Sequence, residues 1–178
     1  MPRPASRDGT WYEAAVTLIL RETDDGALEL LFIERAARDG DPWSGQVAFP
    51  GGRRDASDAS LEKTAVRETL EEVGIDLRRD GTMLGALDEL RPSTPTLPPV
   101  IVRPFVATVR AEARVASVGE VASFFWAPLD LVLDPAFTTQ REISIRGMRT
   151  VRPAIEFEGH VIWGMTERIL KGFAEVVR

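Results

Sequence analysis

Arg67, Glu68, Glu71 and Glu72 stand close together in the run Arg67-Glu68-x-x-Glu71-Glu72-x-Gly74. A helix over residues 64–73 would set the three carboxylates within roughly 100° of one another, at about 100° of rotation per residue. The segment holds no Pro or Gly, and Gly74 stands where a helix stop is expected. Val66, Thr69, Leu70 and Val73 fall on the opposite side, which predicts that they pack on a core. Carboxylates that face one small volume repel one another unless a cation sits among them. Oxygen ligands alone select a hard divalent ion, Mg2+ or Mn2+. Arg67 precedes Glu71 by four residues and can hold that carboxylate's rotamer through an ion pair. Such a cation on a phosphoric anhydride would remove the repulsion that its oxygens exert on an incoming hydroxide. A plain solvated acidic face has the same spacing, and these residues alone leave both readings open.

The elements that must position this run are mostly strands. Residues 14–21 (AAVTLILR) and 28–34 (LELLFIE) are apolar runs joined by Asp24-Asp25-Gly26, a hairpin signal. Residues 46–49 form a short strand that enters Pro50-Gly51-Gly52. That turn either simply ends the strand or lets the Gly51 carbonyl approach a metal with no side chain in the way. After the helix, residues 83–90 read as a strand, and 91–99 (RPSTPTLPP), with four prolines, as a stiff loop. Residues 100–109 are a strong strand in which Pro104 suggests an edge or a bulge. Residues 123–126 form another strand, 129–133 a turn of helix, 142–158 a hairpin, and 165–177 an amphipathic helix through Ile169, Leu170, Phe173 and Val176. Residues 1–11 read as a flexible tail and 12–178 as one domain, an α+β fold with a mixed sheet flanked by helices.

Composition bounds the chemistry. The chain has 178 residues, 44% hydrophobic, enough for one domain with a full core. No run reaches the ~18 apolar residues of a membrane span, and the start shows no signal peptide, so cytoplasm is the expected location. With no cysteine, disulfides, thiolate catalysis and Cys-bound metals are excluded. The net charge of -6 argues against stable nucleic-acid binding but not against a small anionic substrate, since a bound cation reverses the local sign. The single histidine, His160, has nothing nearby in sequence to orient it, and a structural or surface place is expected.

The segment from Gly51 to Ile75 resembles the box of the Nudix hydrolase family, G-x5-E-x7-R-E-U-x-E-E-x-G-U with U a bulky aliphatic. Arg67-Glu68, Glu71-Glu72, Gly74 and Ile75 match. Fourteen residues separate Gly52 from Arg67 where the pattern has thirteen, so the first acidic position becomes Asp58 or Ala59, according to the end from which it is counted. Thr69 replaces an aliphatic. The resemblance implies an α/β/α sandwich and a Mg2+-dependent pyrophosphohydrolase, with Mn2+ able to substitute. It implies Glu68, Glu71 and Glu72 as metal ligands; Glu68 and Glu72 come foremost because (i, i+4) carboxylates can share a cation most directly, and Glu71 and Arg67 are counted among the catalytic residues. Glu120, in Gly119-Glu120-Val121-Ala122, resembles the loop glutamate that reaches the metal site in many such enzymes and is the first candidate base. Glu89 is a second.

Upstream, Arg35-Ala36, Gly45 and Phe49-Pro50-Gly51-Gly52 resemble the coenzyme A pyrophosphatase branch, L-L-T-x-R-[SA]-x3-R-x3-G-x3-F-P-G-G. Eight residues rather than seven lie between Ala36 and Gly45, and Gly40 or Asp41 takes the second basic position, with Arg38 the nearest substitute. Arg35, Arg38 and Arg103 are the expected phosphate contacts, and Trp43 either stacks on a base or packs under its loop. A diphosphate-linked nucleotide, coenzyme A first, is the expected substrate. ADP-ribose, a dinucleotide, a nucleoside triphosphate or a non-catalytic binding role are the alternatives, and a homodimer is compatible. Prenyl-diphosphate isomerases on this fold use a cysteine, which this chain lacks.

Overall fold

The two apolar runs pair as the hairpin signal requires. Strand β1 (Tyr12–Glu22) and β2 (Leu28–Arg35) are antiparallel, closed by a turn in which Thr23 N–H donates to Ala27 O and Gly26 takes a φ of +84°. The computed structural model describes residues 2–6, 10–93, 97–117, 119–145 and 147–177. Next come β3 (Val47–Ala48) and β4 (Gly51–Arg53), then helix α1 (Leu61–Val73), the short α2 (Leu77–Asp80), and β5 (Gly81–Ala86). The chain continues through β6 (Val100–Val109), β7 (Val121–Pro128), α3 (Leu129–Leu133), β8 (Thr138–Ile145), β9 (Met148–Phe157), β10 (His160–Trp163) and α4 (Gly164–Val177).

The main sheet runs β3-β2-β1-β6-β5, with β4 also on β1 and β7 also on β2. The β1–β6 pair is parallel and the other pairs are antiparallel, so the sheet is mixed. The period of two in β1 divides the core. Leu18 and Leu20 face α3, α4 and the small sheet β10-β9-β8, while Ile19 faces the α1–α2 side with Leu31, Ile33, Val73 and Ile75. This is the expected α/β/α sandwich.

Several local expectations need correction. Strand β6 lies between β1 and β5, so Pro104 is not at an edge. Its missing N–H lies on the β5 side, where β5 ends at Ala86 and Leu87 N–H donates to the Pro104 carbonyl (2.8 Å). The irregularity is on β5, between Met83 and Gly85. The strand expected over 83–90 stops at Ala86, and Leu90 forms only an isolated bridge to Val102. Helix α2 and strand β10 had no counterpart in the sequence reading. Arg3 and Ala5, in the segment expected to be a flexible tail, donate backbone N–H groups to Asp88 Oδ1 (2.6 Å) and Glu89 Oε2 (2.9 Å).

Candidate active site

Helix α1 starts at Ser60, whose hydroxyl accepts from Lys63 N–H (3.2 Å), and stops at Gly74, which takes a φ of +73° and donates to Leu70 O (3.1 Å). Its buried residues are Thr64, Ala65, Thr69, Glu72 and Val73, which corrects the apolar face read from sequence. Leu70 is exposed, and Thr69 turns inward to bond the Thr17 hydroxyl on β1 (3.1 Å). The helix is therefore rotated so that Glu72 enters the protein. The three glutamates do not share one point. Glu72 is only 7% exposed, Glu68 is half-buried beside it, and the Glu71 side chain is 56% exposed. Among the described residues no group of three or more His, Asp or Glu side chains is placed to hold a metal ion.

The Gly51-Gly52 pair is required by what lies against it. A Cβ on Gly51 would lie 2.2 Å from the Ala15 carbonyl, and its φ of +155° suits glycine. A Cβ on Gly52 would lie 2.4 Å from Glu68 Oε1. These glycines let β4 lie flat against β1 while both carboxylates rest on it. Gly51 N–H donates to Glu72 Oε2 (2.8 Å), so the contact seen at Gly51 is through its donor.

Arg67 ties the site together. Its Nη1 donates to Glu68 Oε1 and Glu71 Oε2 (2.9 Å each), and its Nη2 donates to Asp58 Oδ2 (2.9 Å) and the Arg53 carbonyl (3.1 Å). The Arg67–Glu71 pair matches the (i, i+4) expectation. Asp58 is the partner that spacing left ambiguous. Its side chain, 7% exposed, also accepts from Thr64 Oγ1 (2.9 Å) and Asp55 N–H (3.0 Å). Counting from Gly52 thus finds the working residue, and Ala59 is not it. The Arg67 guanidinium holds the Asp58 carboxyl well below the usual carboxylate range. Burial pushes the Glu68 carboxyl up against the pull of Arg67. Burial, reinforced by Glu68 and Glu120, lifts Glu72 to about 7 against the Gly51 N–H and Arg35.

Arg67, Glu68, Glu71 and Glu72 line a cavity of about 1070 Å3, with Asp58 behind Arg67 and off its wall. Across it, the end of β2 and the loop after it bring Arg35 and Arg38 to Glu120. Arg38 Nη1 bonds Glu120 Oε1, and Arg35 Nη2 lies 3.9 Å from Glu120 Oε2. Arg35 Nη2 also donates to Asp41 Oδ2 (2.9 Å), and its buried Nε has no hydrogen-bond partner. Burial raises the Asp41 carboxyl, but the Trp43 N–H and Arg35 together leave it below its ordinary value. Trp43 lines the cavity and packs on Ala14, Val100 and Val102. Arg103 is a correction: it does not line the cavity, because Glu89, whose side chain is fully buried, takes its guanidinium (Nη2 to Oε1, 2.5 Å). Glu89 is likewise off the cavity. His160 stacks on Phe125 (3.9 Å between centroids). The sequence reading also missed Arg53, which lines the cavity and lies over the Tyr12 ring at 3.7 Å.

A family model described as "NUDIX domain" matches residues 11–146. The chain is 35% identical to the uncharacterized Nudix hydrolase NudL of Photorhabdus laumondii, over 76% of this chain and 70% of that protein. It is 36% identical to the peroxisomal coenzyme A diphosphatase ndx-8 of Caenorhabditis elegans, over 68% of this chain and 51% of that protein. The chain spans 39%, 51% and 62% of the length of the first curated relatives it matches. Among solved structures, a MutT/nudix family protein from Enterococcus faecalis superposes with a TM-score of 0.63 at 19% identity, covering 97% of this chain and 64% of that one. That likeness shows the fold.

Proposed function

This chain belongs to the NUDIX domain family, and on that premise we propose that it is a divalent-metal-dependent hydrolase of diphosphate-linked nucleotides. The observation that carries the reading is the buried Glu72 carboxyl, with Glu68 beside it, on the wall of a cavity large enough for a nucleotide. A buried and a half-buried carboxylate, bonded by the Gly51 N–H at Glu72 and by Arg67 at Glu68, suit a hard dication. Glu68 and Glu72 would hold it, with Glu71 and the Gly51 carbonyl as further oxygen donors. When bound, the ion neutralises charge on the diphosphate oxygens, Mg2+ and Mn2+ both being suited to this.

The chain's own residues supply the rest. Arg67 fixes the rotamers of Glu68 and Glu71 and is itself fixed by Asp58. Arg35 and Arg38 bind phosphate oxygens, Arg38 leaving its exposed pair with Glu120 to do so. Glu120, once released, takes the proton of the attacking water at a carboxylate oxygen. Trp43 offers a ring edge or face to the substrate where the cavity turns apolar.

Coenzyme A or an acyl derivative is the first candidate, supported by the nematode relative's name and by the matching Arg35, Ala36 and Phe49-Pro50-Gly51-Gly52. Another diphosphate, such as ADP-ribose, a dinucleotide or a nucleoside triphosphate, is favoured by one specific observation. Gly40 or Asp41 takes the position where the branch pattern has a second arginine, and Asp41 occupies Arg35. The test is incubation with a panel of diphosphate compounds and Mg2+ or Mn2+, with products identified by mass spectrometry. Cleavage between the two phosphorus atoms supports the reading, and no cleavage of any member overturns it.

A further inference from the structure

A second, smaller cavity of about 170 Å3 adjoins the first and shares Trp43, Gln46 and Met165 with it as walls. Its other walls come from Pro42, the Pro-rich loop (Pro92, Leu97), the β8–β9 hairpin (Ile145, Arg152, Pro153), Trp163 at the end of β10 and the first turns of α4. Strand β9 and all of α4 lie beyond residues 11–146, so half of this cavity's lining residues belong to a part of the chain that the family match does not include.

The hairpin is shaped to cover it. On β8, Ile143 and Ile145 are half-buried while Glu142 and Ser144 are exposed; on β9, Thr150 and Arg152 are half-buried while Arg149 and Val151 are exposed. Register places Ile143 opposite Thr150 and Arg141 opposite Arg152, so these residues share one face. From that face Ile145 and Arg152 join Pro92 and Leu97 of the Pro-rich loop in the cavity wall. The lining is mostly apolar. Three charged residues, Arg152, Glu167 and Arg168, share the wall, and Arg168 is committed to the Arg91 carbonyl (2.8 Å). The large cavity is graded in the same direction. Its carboxylates and arginines lie around Glu72 and Glu120, while Val100, Val102, Met165 and Ile169 line the part that leads to Trp43.

A ligand that spans both spaces is charged at one end and apolar at the other. We infer that the small cavity receives the distal arm of the substrate, a mainly apolar chain carried on the phosphate away from the nucleoside. A cavity of about 150 Å3 takes a benzene ring, so this one accepts on the order of six to eight heavy atoms. The inference rests on the diphosphate hydrolase reading, and it narrows the substrate class to diphosphates with an apolar arm.

The test uses alkyl esters of adenosine diphosphate with methyl, butyl and octyl arms, assayed with Mg2+ on the whole protein. In the native protein, kcat/KM should rise by about tenfold or more from methyl to octyl, as burial of methylenes requires. Leu97→Trp and Ile145→Trp fill the small cavity from opposite walls, and neither residue lines the large one. Each should reduce the octyl gain to under about twofold while leaving the methyl ester within about twofold of native. Equal rates for all three arms in the native protein, or a gain that survives both fillings, would overturn the inference. If the methyl ester is cleaved and the gain is absent, the hydrolase reading stands and the arm site falls. If no ester is cleaved, the hydrolase reading falls, and tryptophan fluorescence titration decides the arm site. Octyl binding about tenfold tighter than methyl, lost on filling, supports it; equal binding overturns it.

Discussion

Replacing Glu72 by Gln in metal-free protein should stabilise the fold at neutral pH. The Glu72 carboxyl is lifted from an ordinary 4.5 to about 7, chiefly by burial. Between those values the native state keeps a proton that the unfolded chain has released. The Glu72 contribution is therefore fully present below about pH 4.5 and is lost as pH rises through about 7. A gap of about 2.5 pH units corresponds to about 3 kcal/mol, most of it between pH 5 and 8. A Gln at this position still accepts from Gly51 N–H and has no charge to bury. For a domain of this size each kcal/mol moves Tm by about 2–4 °C, so the variant should gain up to about 6–12 °C on native protein at pH 8 in chelator. The gain should shrink steadily toward pH 5. Excess Mg2+ should raise the native Tm and leave the variant's nearly unmoved. Thermal melts of both proteins across pH 5–8.5, with EDTA and with Mg2+, read this directly. Parallel pH profiles in EDTA would refute the placement of Glu72 as a buried, uncompensated carboxyl.

Asp58→Asn should destabilise by about 2–4 kcal/mol at pH 7 in urea unfolding, because Arg67 is left half-buried without its main partner. Since the Asp58 carboxyl is held low, the difference from native should vanish as pH falls well below 4. Glu120→Gln should lower kcat strongly with little change in KM, the pattern of a group used mainly in the transition state, and an unchanged kcat would return Glu120 to a structural pairing with Arg38. With Asp41 occupying Arg35, coenzyme A and its dephospho form should differ by less than about tenfold in kcat/KM, and a larger preference would show that another cation reads the 3′-phosphate.

The helix and its stop were legible because both signals are local: a 3.6-residue period with no breaker, and a glycine able to take a positive φ at Gly74. The side of the helix that is buried was not. Periodicity assigns carboxylates to the outside, whereas Glu72 turns in to meet Gly51 and Thr69 turns in to meet Thr17, fifty-two positions away. Asp58 could be narrowed but not chosen, because one extra loop residue shifts the count without saying where the loop bends. The partnership of Arg103 with Glu89 crosses the Pro-rich loop and left no trace in spacing. Arg35, Arg38 and Glu120 were each singled out from sequence, but their mutual contacts depend on where β2 and β7 lie side by side. Helix α2, at four residues, is too short to carry a period.

The most direct test of the proposed site is Mn2+ binding and diphosphate hydrolysis measured on the same samples of native protein, Glu68→Gln and Glu72→Gln. Paramagnetic resonance of free Mn2+ gives the bound fraction, and mass spectrometry gives turnover. Native protein should bind Mn2+ and cleave a diphosphate substrate. Each variant should bind about tenfold or more weakly and turn over about a hundredfold or more slowly, while remaining folded by circular dichroism. Near-native Mn2+ affinity and turnover in both variants would mean that Glu68 serves only its pair with Arg67 and Glu72 only its bond from the Gly51 N–H, and that the metal and the chemistry lie elsewhere in the protein.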